Sequence, residues 1–139
     1  MKYQPQDFEK KWQEKWFSGD LYKAVDFDER VKKYVLVEFP YPSGPGMHIG
    51  HARNYSMMDA YARLQRMLGH NVLHPMGWDA FGLPTENYAI KTKRKPADIT
   101  KENTDNFRDQ LQNLGLSFDW SREINTTDPE YYKWTQWIF

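Results

Sequence analysis

The stretch PYPSGPGMHIGHARNY, residues 40–55, places three prolines and three glycines in its first eleven positions, then turns polar, basic and helix-compatible without a break. The residues before it, KKYVLVEFP, form a short apolar run rich in β-branched and aromatic side chains and ended by Pro40, which reads as a buried strand. After it, Ile49, Ala52, Ser56, Ala60, Leu64, Met67 and Leu68 keep a helical period that Gly69 closes. NVLHPMGW then offers a second short strand, Asn71 to His74, stopped by Pro75.

Strand, loop, helix and strand within roughly forty residues make a βαβ crossover, which predicts two parallel strands joined right-handed with the helix on one face. That is the opening of a doubly wound nucleotide-binding fold. The expected class is therefore α/β: the first half of a Rossmann-like parallel sheet with flanking helices, truncated.

The loop has the chemistry of an anion site. A helix N-terminus presents unpaired N–H groups and the positive end of the helix dipole. Gly44, Gly46 and Gly50 let a bulky ligand approach the backbone, since no Cβ stands in the way. His48 and His51, three apart, share a helical face and can both donate to phosphate oxygens without a fixed lysine-type charge, which suits a transition state at phosphorus. Zinc would want four ligands, and with no cysteine and no evident acidic third partner no metal site is expected. An HxGH tetrapeptide alone also fits simple capping or core residues; its position after a strand and a glycine loop favours the phosphate reading.

Composition narrows the classes. A length of 139 residues and a hydrophobic share of 40% allow one real core. Nineteen basic and nineteen acidic side chains cancel, so no global field recruits a polyanion or an anionic membrane. The absence of cysteine excludes disulfides, thiolate metal sites and cysteine nucleophiles. The N-terminus lacks the apolar run of a signal peptide and nothing later approaches a membrane span, so a cytoplasmic protein is expected.

Around this centre, Phe8, Trp12 and Trp16 recur every four residues, which predicts an amphipathic helix over residues 6–18, stopped by Gly19. PADITKENTDNFRDQLQNLGL predicts a helix from Thr100 to Asn113 with Phe107, Leu111 and Leu114 inward and Gly115 as its stop. SFDWSREI reads as extended or irregular. In TTDPEYYKWTQWIF, Thr127 and Glu130 suggest a capping box with Pro129 in the first turn. The apolar surface of Tyr131, Trp134 and Ile138 there has no evident partner before Phe139, which suggests a piece of a longer protein and self-association of the piece.

Four segments together, FPYPSGPGMHIGHARNY, GWDAFGLPTEN, GLSFDWSRE and YYKWTQWIF, resemble the first half of the catalytic domain of the leucyl-tRNA synthetases, which are class I aminoacyl-tRNA synthetases. Residues 48–51 match that class's HIGH signature letter for letter, and the resemblance runs from about residue 3 to 139, essentially the whole chain. The isoleucyl, valyl and methionyl relatives share HIGH and a GWD-type segment, while the YPSG and DAFGLP wording favours leucine.

The resemblance implies a two-step ligase: leucine and ATP, with Mg2+ accompanying the nucleotide, give leucyl-adenylate and pyrophosphate, and the leucyl group then passes to tRNA(Leu). It implies that His48 and His51 contact the ATP phosphates, that backbone from Gly46 to Gly50 lies under the nucleotide, that Phe39 and Tyr41 border the amino-acid site, and that Asp79 holds the leucine ammonium. By its residues alone Asp79 also reads as a turn aspartate before Phe81 and Gly82. Trp78 and Phe81 read as packing. KTKRK, Lys91 to Lys95, is the densest basic run; it reads as a solvated surface loop, with contact to a tRNA acceptor end as the alternative.

The family's second signature, the KMSKS loop, has no counterpart in this sequence, and neither do its editing insertion and anticodon-binding helical domain. Two other functions remain open at this level. A small HxGH nucleotidyltransferase would need a lysine-bearing second phosphate motif, and none is evident. A non-catalytic module derived from a synthetase would keep the core for nucleotide or protein binding.

Overall fold

The computed structural model describes residues 3–139. After a single 3-10 turn, Pro5–Asp7, helix α1 spans Glu9–Ser18 and stops at Gly19. It buries no residue. Of the expected aromatic stripe, Trp16 reaches the body of the protein by packing over Gly115, whereas Trp12 stays exposed beneath Lys15 and Phe8 meets Tyr3 edge to face.

The βαβ unit forms as its sequence predicts. Strand β1, Lys32–Tyr34, pairs in parallel with β2, Asn71–Leu73, and helix α2, Ile49–Met67, connects them. The regular ladder is short, but pairing extends past it, since Val35 N–H donates to Leu73 O at 2.9 Å. Val35 and Val37 are buried while Leu36 is exposed, so the run is half-buried and alternating, not buried on both faces. Gly69 closes α2 in the left-handed conformation, φ 81°.

The period of α2 is as predicted, but its buried face is not. Ile49, Leu64, Met67 and Leu68 are exposed, and Tyr55, Asp59, Ala62 and Gln65 turn inward. The reason is polar satisfaction. Asp59 accepts from Ser117 N–H at 2.6 Å and from Arg63 Nε at 2.7 Å, which ties the helix to the segment after α4.

A second pair of parallel strands, β3 (Gly77–Trp78) and β4 (Ile124–Asn125), forms separately and makes the extended part of SFDWSREI specific. Helix α3, Leu83–Thr92, is not anticipated by the apolar pattern. Helix α4, Pro96–Asn113, begins a turn earlier than predicted, because Pro96 supplies a preset first position. Phe107 and Leu111 point inward; Leu114, beyond the last turn, is exposed. Helix α5, Pro129–Ile138, starts at Asp128 without a side-chain cap: Thr127 bonds Asn125 instead, and Glu130 pairs with Lys133. Tyr131, Trp134 and Ile138 are exposed.

The main core joins α2, α4 and the second strand pair through Val37, Tyr55, Met76, Trp78, Phe107 and Phe118. Among the described residues no helix is long and apolar enough to cross a membrane.

Candidate active site

The site grows from the first turn of α2. His48 is the N-cap residue in extended conformation, and its imidazole Nδ1 accepts the Gly50 N–H at 3.1 Å. His51, at the third helical position, returns the bond: its Nδ1 accepts the His48 N–H at 3.2 Å. This is a capping box built from two imidazoles in place of the usual serine and glutamate. Because both Nδ1 atoms accept, the ring protons sit on Nε2 in the neutral forms, and each histidine keeps one N–H donor outside the cap. The rings stack with centroids 3.9 Å apart. His51 is held below the usual imidazole pKa chiefly by burial, with the neighbouring His48 adding to it and Glu38 opposing.

The capping reading of the histidines is therefore borne out through Nδ1, and each Nε2 stays outside the cap. Gly50 is required for this arrangement, since a Cβ there would lie 2.9 Å from the His48 ring.

A cleft of about 500 Å³ opens at this helix end, lined by Glu38, Phe39, Tyr41, His48, Gly50, His51, Arg53 and Tyr55 among others. The structure thus brings Phe39, Tyr41, Gly50 and both histidines together. Phe39 is anchored against Gly77, where any Cβ would collide with its ring at 2.5 Å. Asp79 sits behind the cleft wall: its N–H donates to Pro40 O at 3.1 Å, and its carboxylate, by charge and by hydrogen bonding to the hydroxyl, raises the pKa of Tyr41. Gly46 does not line the cleft. Its missing Cβ makes room for Gln110, whose Nε2 would be 3.0 Å away, while Gly44 faces open space. Of the three glycines, Gly50 alone borders the cleft, so the expected glycine-lined floor is narrower than the sequence suggests.

Three contributors escape the sequence reading. Tyr55, one turn after His51, is buried and donates to Glu38 O at 2.9 Å, fixing the end of the β1 segment against α2. Its aromatic ring at i+4 from His51 is the signal that could have found it. Arg53 and Glu38 put opposite charges on the rim. Trp78 is core, as expected, and Phe81 packs edge-to-face on Tyr132. Lys91 to Lys95 form the exposed corner between α3 and α4, with Lys93 left-handed at the C-cap and Arg94 paired to Glu102.

Comparison with known proteins agrees with the fold. The family described as tRNA synthetases class I (I, L, M and V) matches residues 11–139. A leucine–tRNA ligase of Alkaliphilus oremlandii (strain OhILAs) is 59% identical over 137 residues, covering 99% of this chain and 17% of the relative. The agnB2 LeuRS of Agrobacterium radiobacter K84, solved in ternary complex with tRNA and LeuAMS, superposes with a TM-score of 0.92 at 41% identity, covering 99% of this chain and 18% of that one. A methionyl-tRNA synthetase of Mycobacterium tuberculosis, solved with methionyl-adenylate, gives a TM-score of 0.69 at 32% identity over 74% of this chain and 20% of its own. The chain thus spans about a sixth of the length of these leucine relatives. With the parallel βαβ unit and the HIGH turn at the mouth of its cleft, the chain belongs to the class I tRNA synthetases, within their Rossmann-like catalytic domain.

Proposed function

We propose that residues 1–139 are the N-terminal part of the catalytic domain of a leucyl-tRNA synthetase, contributing the histidine half of the site that makes leucyl-adenylate from leucine and ATP. The observation that carries this reading is the pair of imidazoles whose Nδ1 atoms are committed to the helix cap, leaving two Nε2–H donors at an open helix N-terminus. Leucine, ahead of the other amino acids of the family, is supported by the 59% identity to a leucine–tRNA ligase.

In the first step the leucine carboxylate attacks the α-phosphorus of ATP and pyrophosphate leaves, so no protein nucleophile is needed. The protein supplies alignment and stabilisation of charge as it develops. His48 and His51 donate from Nε2 to phosphate oxygens. An imidazole donor brings no permanent charge of the lysine kind that would hold product as firmly as transition state. Gly46 to Gly50 carry the backbone of the cradle, Gly50 at its surface. Phe39 and Tyr41 border the amino acid. Asp79 pairs with the leucine ammonium, which must then lie by the Tyr41 hydroxyl.

Magnesium would arrive with the nucleotide. Among the described residues no three His, Asp or Glu side chains converge as a cage, and Glu38 is the carboxylate on the cleft rim. That donor set fits an ion held mainly by the triphosphate, where it would neutralise phosphate charge. The leucyl group then passes to tRNA(Leu) in the cytoplasm, using parts of the full-length synthetase beyond this segment.

The test is calorimetric titration of the chain with ATP and leucine, with leucine-dependent ATP–pyrophosphate exchange by the full-length synthetase. Exchange is expected with leucine and not with methionine. ATP binding with no exchange under any amino acid would replace this reading by a non-catalytic nucleotide-binding module.

A further inference from the structure

Helix α4 carries a row of amides at Asn103, Asn106 and Gln110, spaced three and four apart and hence on one face. All three reach across to the backbone of the loop that precedes the histidines. Asn103 Nδ2, on a buried side chain, donates to Pro42 O at 2.8 Å; Asn106 Nδ2 donates to Pro45 O; and Gln110 Oε1 accepts the Met47 N–H at 3.0 Å. The loop needs such outside partners. Prolines at 40, 42 and 45 remove backbone donors, and residues 36–48 have no strand or helix ladder. Gly46 belongs to the same device, since a Cβ there would press on the Gln110 amide.

We infer that Asn103, Asn106 and Gln110 are positioning residues that clamp loop 42–47 and thereby fix the orientation of the His48 and His51 imidazoles. This inference rests on the proposed role of those imidazoles in nucleotide binding. The bond to Met47 is decisive because Met47 immediately precedes the N-cap: it sets the backbone from which the His48 ring folds back over Gly50. Freed from it, the loop can swing, the reciprocal cap loosens, and either ring nitrogen can carry the proton. An error of one ångström in aligning reacting groups can cost on the order of a hundredfold in rate.

Gln110→Met keeps length and removes the acceptor, Gln110→Glu keeps the acceptor, and Phe107→Leu weakens the same helix through its apolar side. Nitrogen-15 NMR of the chain reads the tautomers of His48 and His51, and amide hydrogen exchange reads residues 46–51. Gln110→Met is expected to mix the tautomers and to speed loop exchange by roughly tenfold or more. Gln110→Glu and Phe107→Leu are expected to keep both wild-type signatures. Gly46→Ala should reproduce the Gln110→Met signature, and the double variant should add little to either, because both break one contact. It also serves if Gln110→Met fails to fold. In the full-length synthetase, Gln110→Met should raise KM for ATP by roughly tenfold or more and leave KM for leucine near wild type. Wild-type tautomers and loop exchange in both Gln110→Met and Gly46→Ala would overturn the clamp, as would an ATP defect matched by Phe107→Leu. Absence of leucine-dependent exchange in the wild-type synthetase would instead sink the functional reading and leave the NMR result standing.

Discussion

His48 and His51 cap their own helix by exchanging backbone bonds through Nδ1, 3.1 Å from Gly50 N–H to His48 and 3.2 Å from His48 N–H to His51. Each residue thus serves stability through one nitrogen and leaves the other outside the cap, for the phosphate role proposed above. The two roles can be separated by substitution, because an asparagine amide reaches the place of Nδ1 but not that of Nε2.

His48→Asn is expected to keep the cap and to unfold within about 0.5 kcal/mol of wild type, whereas His48→Ala loses about 1 kcal/mol. Both should lose roughly 2 to 4 kcal/mol in adenylate formation, the range for one donor to transition-state charge. Urea unfolding of the chain and pyrophosphate exchange by the full-length synthetase read the two effects. An asparagine variant with wild-type exchange would return His48 to a purely structural role.

His74 shows the opposite arrangement. It is fully buried beside Phe118, its Nδ1–H donates to Val35 O at 2.7 Å, and its Nε2 is buried without a partner among the described residues. Burial pushes its pKa below the ordinary 6.5, and the same direction holds for His51. Unfolding therefore takes up protons as pH falls through 6.5 towards the native values. Stability present above pH 6.5 should decline in that window. Chemical denaturation at a series of pH values should show the fall, and His74→Asn, which can still donate to Val35, should flatten it.

The Asp59 carboxylate joins α2 to the Leu116–Asp119 segment, accepting from Arg63 and from both the N–H and hydroxyl of Ser117. Asp59→Ala strands a half-buried guanidinium and a buried amide, and should cost about 3 kcal/mol in unfolding free energy. A loss under about 1 kcal/mol would mean that water reaches these groups.

The βαβ unit is legible because its strand and helix periods differ and because Gly69 sits at a stop that demands positive φ, 81°; Gly115, φ 71°, marks the end of α4 in the same way. The inward face of α2 is not legible. Counting apolar residues selects Ile49, Leu64, Met67 and Leu68, while the protein buries Asp59, whose partner Ser117 lies 58 residues away, and Gln65, which bonds His70 just past the helix end. Strands β3 and β4 are two residues each, too short to carry a period. In the site, the histidines are legible through motif and place, but the Gln110 contact joins residues 63 apart and leaves no local trace.

Asp79 and Tyr41 are coupled, since the carboxylate raises the phenol's pKa. Asp79→Asn removes that charge at constant shape. The Tyr41 phenol should then ionise at lower pH, visible as phenolate absorbance in an alkaline titration of the chain. In the full-length synthetase the same variant should weaken leucine and leave ATP binding nearly intact. Loss of ATP binding with leucine unaffected would make Asp79 a turn residue only.

The isolated chain is expected to self-associate and to be a poor catalyst. Strand β1 pairs with β2 on one side only among the described residues, so its other edge offers unpaired backbone groups. Beside it, Tyr34 and Leu36 are exposed, and α2 adds Leu64, Met67 and Leu68 to the apolar surface in water. Helix α5 presents Trp134, Trp137 and Ile138, with Trp137 79% exposed, and touches the body through the edge-to-face contact of Tyr132 with Phe81. Apolar surface of this kind is rarely left to solvent by a monomer. Sedimentation should therefore show dimers or larger species that weaken when Trp137→Glu puts a charge on the α5 face. Catalysis should fall for a separate reason. The cleft is lined by both histidines and Arg53; in the proposed site they would clamp one side of the nucleotide, and each missing electrostatic contact on the other side costs on the order of a hundredfold. A chain that sediments as a monomer and exchanges pyrophosphate within about tenfold of a full-length synthetase would refute both expectations, because one clamp would then suffice where charge develops across the whole triphosphate.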